Sequence, residues 1–524
     1  MQFLNNPHHK KLLELAKNPF DLTKKGALSP ERIRQFQSQQ KALTLLYATE
    51  RINQEVMDSL FALAKEANAL ENMRAMQSGQ IVNCLEGWES EDRPALHTAM
   101  RDFFSDKNPG KNAVIATTFA TREWKKLEEF LTSIEEDHFT SIVQIGIGGS
   151  YLGPEALYFA LERYRKKTRD SAHFIANVDP DDAVKVLEPL DLSKTLVVVV
   201  SKSGSTLETN TNEKLARLLY EKRGLDPKRH FLSVTREKSP MDNPDLYRAS
   251  FYMEDSVGGR YSVTSMVGCV LLAFMCGSQV VWEFLKGASD MDKVAATFDD
   301  ERNLPLLGAL LGIWNRNFLG YPTLAVIPYT EALRRFPAHL QQCDMESNGK
   351  SVQKNGQEAP FSTGPVLWGE PGTSAQHSFY QWLHQGKDLA SLEIIGSKES
   401  QYAQDVDVLG TTSQEKLLAN LFAQSIALAT GKESSNPNKR FSGNRPSRLL
   451  FTSKITPYAA GNLLSYYEHK IAFQGFIWGI NSFDQEGVEL GKVLASEILE
   501  HMRGEPQKAN PTIEAYLETL NHLD

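Results

Sequence analysis

Six consecutive residues, Ser201-Lys202-Ser203-Gly204-Ser205-Thr206, put four hydroxyls and one ammonium into a single turn. Such donors suit a compact anion such as a phosphate dianion. The turn follows residues 196–200, a leucine and four valines, and precedes residues 207–220, whose apolar positions recur at helical spacing. A short β-branched run reads as a strand buried on both faces. A helix that starts straight after it leaves free backbone N–H groups, and the positive end of its dipole, facing the turn. The same residues would also serve as an ordinary N-cap turn, since Ser and Thr cap helices generally. Two more turns could do related work. Gly148-Gly149-Ser150 and Gly258-Gly259-Arg260 allow close backbone approach, and Arg260 can hold an anion or a developing oxyanion.

The elements around these turns read as strand and helix in alternation. Residues 141–147, 172–177, 195–200 and 230–234 are short apolar strands separated by helical segments, which implies a parallel sheet with helices on both faces. In such sheets ligands sit beyond the carboxyl ends of the strands, and both Gly/Ser turns fall on that edge. A second alternation starts near Asn303, with helices at 304–318, 331–345, 374–384 and 414–430 and strands at 323–329, 364–368, 392–396 and 449–452. Residues 32–50 and 53–69 read as amphipathic helices. The expected fold is α/β, with two doubly wound parallel-sheet domains at 111–298 and 299–495. A helical N-terminal region at 1–110 and a helical tail at 496–524 flank them.

Composition and motif mismatches narrow the function. GIGGSYLG is not a dinucleotide fingerprint, because Tyr151 stands where the third glycine should be. No GK[ST] follows, and the first acid at a plausible strand end, Asp179, comes late for a ribose contact. Lys plus Arg number 57 against 65 Asp plus Glu, a net charge of −8 that does not favour nucleic acid. Cys84, Cys269, Cys276 and Cys343 have no CxxC spacing and read as reduced core thiols. With no signal-like apolar core at the start and no unbroken run of apolar residues long enough to span a bilayer, the expected location is cytoplasmic, away from membranes.

Several stretches together carry a family resemblance. They are VQIGIGGSYLGP (143–154), VVSKSGSTLET (199–209), GGRYSVTS (258–265), QQCDMESNGKS (341–351), GEPGTSAQHSFYQWLHQG (369–386) and YEHKIAFQGFIWGINSFDQEGVELGK (467–492). In this order they resemble the glucose-6-phosphate isomerase (phosphoglucose isomerase) family, built from sugar isomerase domains. The resemblance implies a cofactor-free aldose–ketose isomerase of glycolysis and gluconeogenesis. It would interconvert glucose 6-phosphate and fructose 6-phosphate by ring opening and proton transfer through a cis-enediol. Such chemistry needs a carboxylate base, a cation beside the enediolate, and an acid that opens the ring.

Carried over onto this chain, the resemblance makes Glu346 the base and Arg260 the cation, with His377 and Lys492 assisting ring opening. Gly149, Ser150, Ser201, Lys202, Ser203 and Thr206 would contact the phosphate end, and Gln342 and Gln485 the rest of the substrate. It further implies a homodimer in which His377 enters the partner's site; His384 reads as structural. No metal is implied. Departures from the family pattern are Cys343, Gly204-Ser205, Ser374-Ala375 and Glu486, the last expected to weaken phosphosugar binding modestly. Two competing readings are a different sugar-phosphate isomerase and a non-catalytic phosphosugar sensor. The first should lack DMESNGK and FDQ…GVELGK, and the second should have lost the base.

Overall fold

The computed structural model describes residues 3–104, 110–505 and 509–523. The chain forms two compact units, Met1–Ser482 and Phe483–Asp524. Two sheets carry the first unit. In one, five parallel strands lie in the order Ala172–Ile175, Ser141–Ile145, Thr195–Val200, Phe231–Thr235 and Ala249–Tyr252. Every residue of Thr195–Val200 is buried, as a central strand rich in valine requires. Val143, Ile145, Val197 and Val199 pack with Ile175, Tyr220 and Phe231 under the flanking helices. Strand Ala249–Tyr252 was not anticipated; it is short and only Phe251 is buried, so its pattern is weak.

The other sheet has six strands, in the order Gln37–Gln40, Leu43–Leu46, Ser447–Thr452, Ala390–Ser397, Thr323–Tyr329 and Val366–Trp368. The last four are parallel, and the first two form an antiparallel hairpin along the edge. This corrects the reading of residues 32–50 as one helix. Only Pro30–Gln35 is helical there. Lys41 and Ala42 then reverse the chain, Lys41 with φ +54°, and Leu43 and Leu45 alternate into the core. The N-terminal region therefore completes the second sheet.

A helix of 22 residues, Pro457–Trp478, runs through the first unit with every residue but Tyr458 buried. It packs on helix Ser278–Thr297 at close range. A Cβ on Gly287 would lie 2.0 Å from the Tyr458 carbonyl oxygen, and one on Gly461 2.0 Å from that of Phe284. Despite its burial this helix carries Glu468, His469 and Lys470, and each is paired. Arg101 binds Asp292 at 3.0 Å and also Glu468, while His469 Nε2 lies 2.6 Å from Asp292. Arg448 bridges Glu50 at 3.1 Å and Glu393 at 2.9 Å, and Lys470 reaches Glu393 at 2.6 Å. Burial opposes the Glu393 charge, but Arg448 and Lys470 outweigh it and hold the carboxyl at about 2.

Among the described residues one helical stretch, Gly259–Cys276, has the length and apolarity of a membrane span, and 89% of it is buried inside the protein. The second unit holds helices Glu489–Arg503 and Pro511–Asn521, the latter capped by Asn510.

Arg448→Met is expected to destabilise the fold by about 3–5 kcal/mol, because among the described residues Glu50 would keep only the Asn315 amide, and Glu393 only Lys470 and the Tyr466 hydroxyl. Denaturant unfolding of the variant checks this, and an unshifted midpoint would contradict it.

Candidate active site

The two serine-bearing turns follow neighbouring strands. Gly148–Ser150 comes after Ser141–Ile145, and residues 201–206 after Thr195–Val200, with Ile145 opposite Val199 in the sheet. Helices leave these two strands' ends toward different neighbours, so this is the switch point where open α/β sheets bind ligands. Gly148 takes φ +57°, and Gly149 lies against the third turn: a Cβ there would be 2.1 Å from the Gly259 carbonyl. Only glycine permits that approach. Residues 201–206 are internally bonded. Ser201 Oγ lies 3.0 Å from Thr206 Oγ1 and accepts from the Gly204 N–H at 3.1 Å, while Ser203 Oγ accepts from Ser205. Thr206 precedes helix Leu207–Lys222 without capping it by its side chain. Helix Leu152–Leu161 after the other turn likewise has no side-chain cap. Both helix ends thus keep backbone donors on the ligand edge.

Arg260 joins this edge to segments associated with the second sheet. Its side chain is 1% exposed. Nε donates to Ser347 Oγ at 2.7 Å, Nη2 donates to the Ser482 carbonyl at 2.7 Å, and Nη1 lies 3.3 Å from Glu346 Oε2. Glu346 keeps 23% of its side chain exposed, so the pair has one buried member and one open to a ligand. It ends a π-helical segment, Gln342–Glu346, that continues helix Phe336–Gln341. Such a bulge rotates the residues within it away from their α-helical directions and recurs at functional sites. Gln342 faces the glycine turn, its Nε2 3.1 Å from where a Cβ on Gly148 would stand. Its Oε1 is buried with no hydrogen-bond partner among the described residues, and a buried acceptor of that kind calls for one.

The expected residues are therefore brought together in part. Gly149, Ser150, Arg260, Gln342 and Glu346 converge on one region. Lys202 directs its ammonium at the carbonyls of Asp255 (2.8 Å) and Val257 (3.0 Å), leaving one N–H for another acceptor. Burial, with Arg93 nearby, lowers that ammonium to about 8. His377 is exposed at the end of the short helix Gly372–Gln376, whereas His384 bonds Gln424 at 2.8 Å. Gln485, Glu486 and Lys492 belong to the second unit, where Lys492 pairs with Glu489 at 2.6 Å. Cys343 is buried, and its thiol donates to the Arg260 carbonyl at 3.2 Å. Among the described residues no group of three or more His, Cys, Asp or Glu is gathered to hold a metal ion.

Ser347, Tyr261, Asn348 and Ser482 were not anticipated. Tyr261 Oη lies 2.6 Å from Ser347 Oγ, and His97 stacks on its ring at 4.8 Å. The available signal was a run of polar residues, Ser347-Asn348, directly after the acid.

Comparison with known proteins agrees with this architecture. A family model described as phosphoglucose isomerase matches residues 46–514. A glucose-6-phosphate isomerase of Protochlamydia amoebophila is 53% identical, the match covering 99% of this chain and 98% of the relative. One of Chlamydia pneumoniae is 52% identical over 99% of this chain and 98% of the relative. The crystal structure of a glucose-6-phosphate isomerase from Chlamydia trachomatis superposes with a TM-score of 0.96 at 48% identity, covering 100% of both chains. A glycine-lined edge at the strand ends, a buried arginine and a carboxylate beside it thus occur in a chain that belongs to the phosphoglucose isomerase family.

Proposed function

We propose that this chain catalyses the reversible isomerisation of glucose 6-phosphate and fructose 6-phosphate, with Glu346 as the proton-transfer base. The observation that carries the reading is the Glu346 carboxylate 3.3 Å from a buried guanidinium, on a residue that stays partly exposed. Converting the aldose removes a proton from C2, spreads charge over O1, C1, C2 and O2, and returns a proton to C1. A hydroxyl proton moves from O2 to O1. One carboxylate can take and return the carbon-bound proton, and a fixed cation beside it lowers the energy of the enediolate. Arg260 has that role. It is already desolvated and hydrogen-bonded, so little reorganisation accompanies the reaction.

The phosphate end binds at the turns carrying Gly149, Ser150, Ser201, Ser203 and Thr206, where the two uncapped helix ends supply donors. Lys202 contributes its remaining N–H, and the unpartnered Gln342 Oε1 accepts from a sugar hydroxyl. Ring opening needs proton transfer to the ring oxygen and from the C1 hydroxyl, which His377 and Lys492 supply together, with Gln485 contacting substrate. His377 acts in the site of a second copy. Its exposure in the single chain supports that reading, and the working form is then a homodimer.

Two outcomes are expected. Glu346→Gln should still bind fructose 6-phosphate while losing about 10²-fold or more of kcat. Steady-state kinetics with a parallel binding titration separates the two, and a variant turning over at the wild-type rate would remove Glu346 as the base. Wild-type binding without turnover would favour a phosphosugar sensor. Lys202 loses its charge as pH rises through about 8, so KM for fructose 6-phosphate should increase above that pH. Lys202→Arg should abolish the rise, because guanidinium stays charged; an identical rise in the variant would contradict a phosphate-binding Lys202.

A further inference from the structure

We propose that Ser347 is a positioning residue, whose hydroxyl fixes the Arg260 guanidinium against Glu346 with the Tyr261 hydroxyl orienting it. The inference rests on the proposed isomerase reading. Ser347 is wholly buried, and its Oγ has two partners, Arg260 Nε at 2.7 Å and Tyr261 Oη at 2.6 Å. Arginine can only donate, so the serine oxygen accepts from Nε and keeps a proton or a lone pair for the tyrosine. Ser347 also follows Glu346 directly in the chain. Two adjacent residues at the end of one π-helical segment therefore hold the same guanidinium, the carboxylate at Nη1 and the hydroxyl at Nε. Any tilt of the guanidinium changes its distance to the carboxylate.

The third nitrogen is fixed from the same stretch. Ser482, whose carbonyl accepts from Nη2, donates its own hydroxyl to Asn348 Oδ1 at 2.8 Å. Asn348 Nδ2 in turn donates to the Ile471 carbonyl at 3.1 Å. Ser482 thus anchors one nitrogen independently of Ser347, so removing the Ser347 hydroxyl should loosen the guanidinium's orientation at Nε and leave the side chain in place. Tyr261 belongs to the same turn as Arg260, Gly259–Thr264, so it ties the serine back to the arginine's own segment. An ordinary buried serine in a helix would bond a carbonyl one turn back. This one is directed at the cation of the site.

The test compares Ser347→Ala, Tyr261→Phe and their double variant, and places Ser347→Ala in an Arg260→Lys background. Each is measured for kcat and KM on fructose 6-phosphate and for its unfolding midpoint. Ser347→Ala should lower kcat about tenfold, since small misplacements of a reacting constellation are costly, and leave KM within about twofold. Tyr261→Phe should show a smaller loss, and the double variant should be no worse than Ser347→Ala, because both act through one hydroxyl. In the Arg260→Lys background, which lacks Nε–H, Ser347→Ala should cost nothing further. Wild-type kcat in Ser347→Ala, or a full additional loss in the lysine background, would overturn the proposal. If Ser347→Ala does not fold, an unchanged kcat in folded Tyr261→Phe overturns it. Absence of turnover in the wild-type protein would instead sink the isomerase reading itself.

Discussion

A guanidinium taken out of water is tolerated only when its nitrogens find acceptors, and the site depends on how Arg260 meets that demand. Its partners include a hydroxyl, a backbone carbonyl and a carboxylate, at 2.7, 2.7 and 3.3 Å. Two of them come from the stretch that ends the π-helical segment, and the third from the chain just after the buried helix Pro457–Trp478. Satisfying one buried charge thereby brings the loop after the first sheet against elements of the second. The carboxylate among those partners stays partly open, so the same arrangement that stabilises the arginine presents an acid to a ligand.

The rest of the first unit keeps those elements in register. The central helix is apolar around most of its circumference, and the glycines at 287 and 461 let it approach its neighbour closely. Its Glu468, His469 and Lys470 enter networks with Arg101, Asp292, Glu393 and Arg448. Such networks add little net stability over a well-packed apolar core. They do penalise any slip of the helix, because a shift of one residue would strand a buried charge. The helix leads into Ser482, so its register bears directly on Arg260.

Much of this was legible in the chain. Strands Thr195–Val200 and Thr323–Tyr329 were read with the bounds the structure gives them, since a parallel strand buried over nearly its whole length is a short apolar run with sharp ends. The hairpin Gln37–Gln40 with Leu43–Leu46 was missed for a physical reason. Its two-residue turn is Lys41-Ala42, without the Asn-Gly or Asp-Gly signal of a tight hairpin. Its first strand, QSQQ, has no apolar face to betray a period of two. The candidate site was legible where residue type alone implied chemistry, as at Arg260, Glu346 and the glycine turns. Ser347 and Ser482 were not, because what matters in them is one oxygen and where the fold puts it. The π-helical turn is equally silent in sequence, since its residues would suit an ordinary helix.

The most direct test of the account is the fate of the carbon-bound proton. Fructose 6-phosphate turned over in D2O should yield glucose 6-phosphate with solvent deuterium at C2, because a carboxylate holding the proton can exchange it before returning it. Proton NMR of the product reads this, and the label should disappear along with turnover in Glu346→Gln. Product formed at full rate with no solvent deuterium at any conversion would mean direct hydride transfer between C1 and C2, and would contradict a base at Glu346.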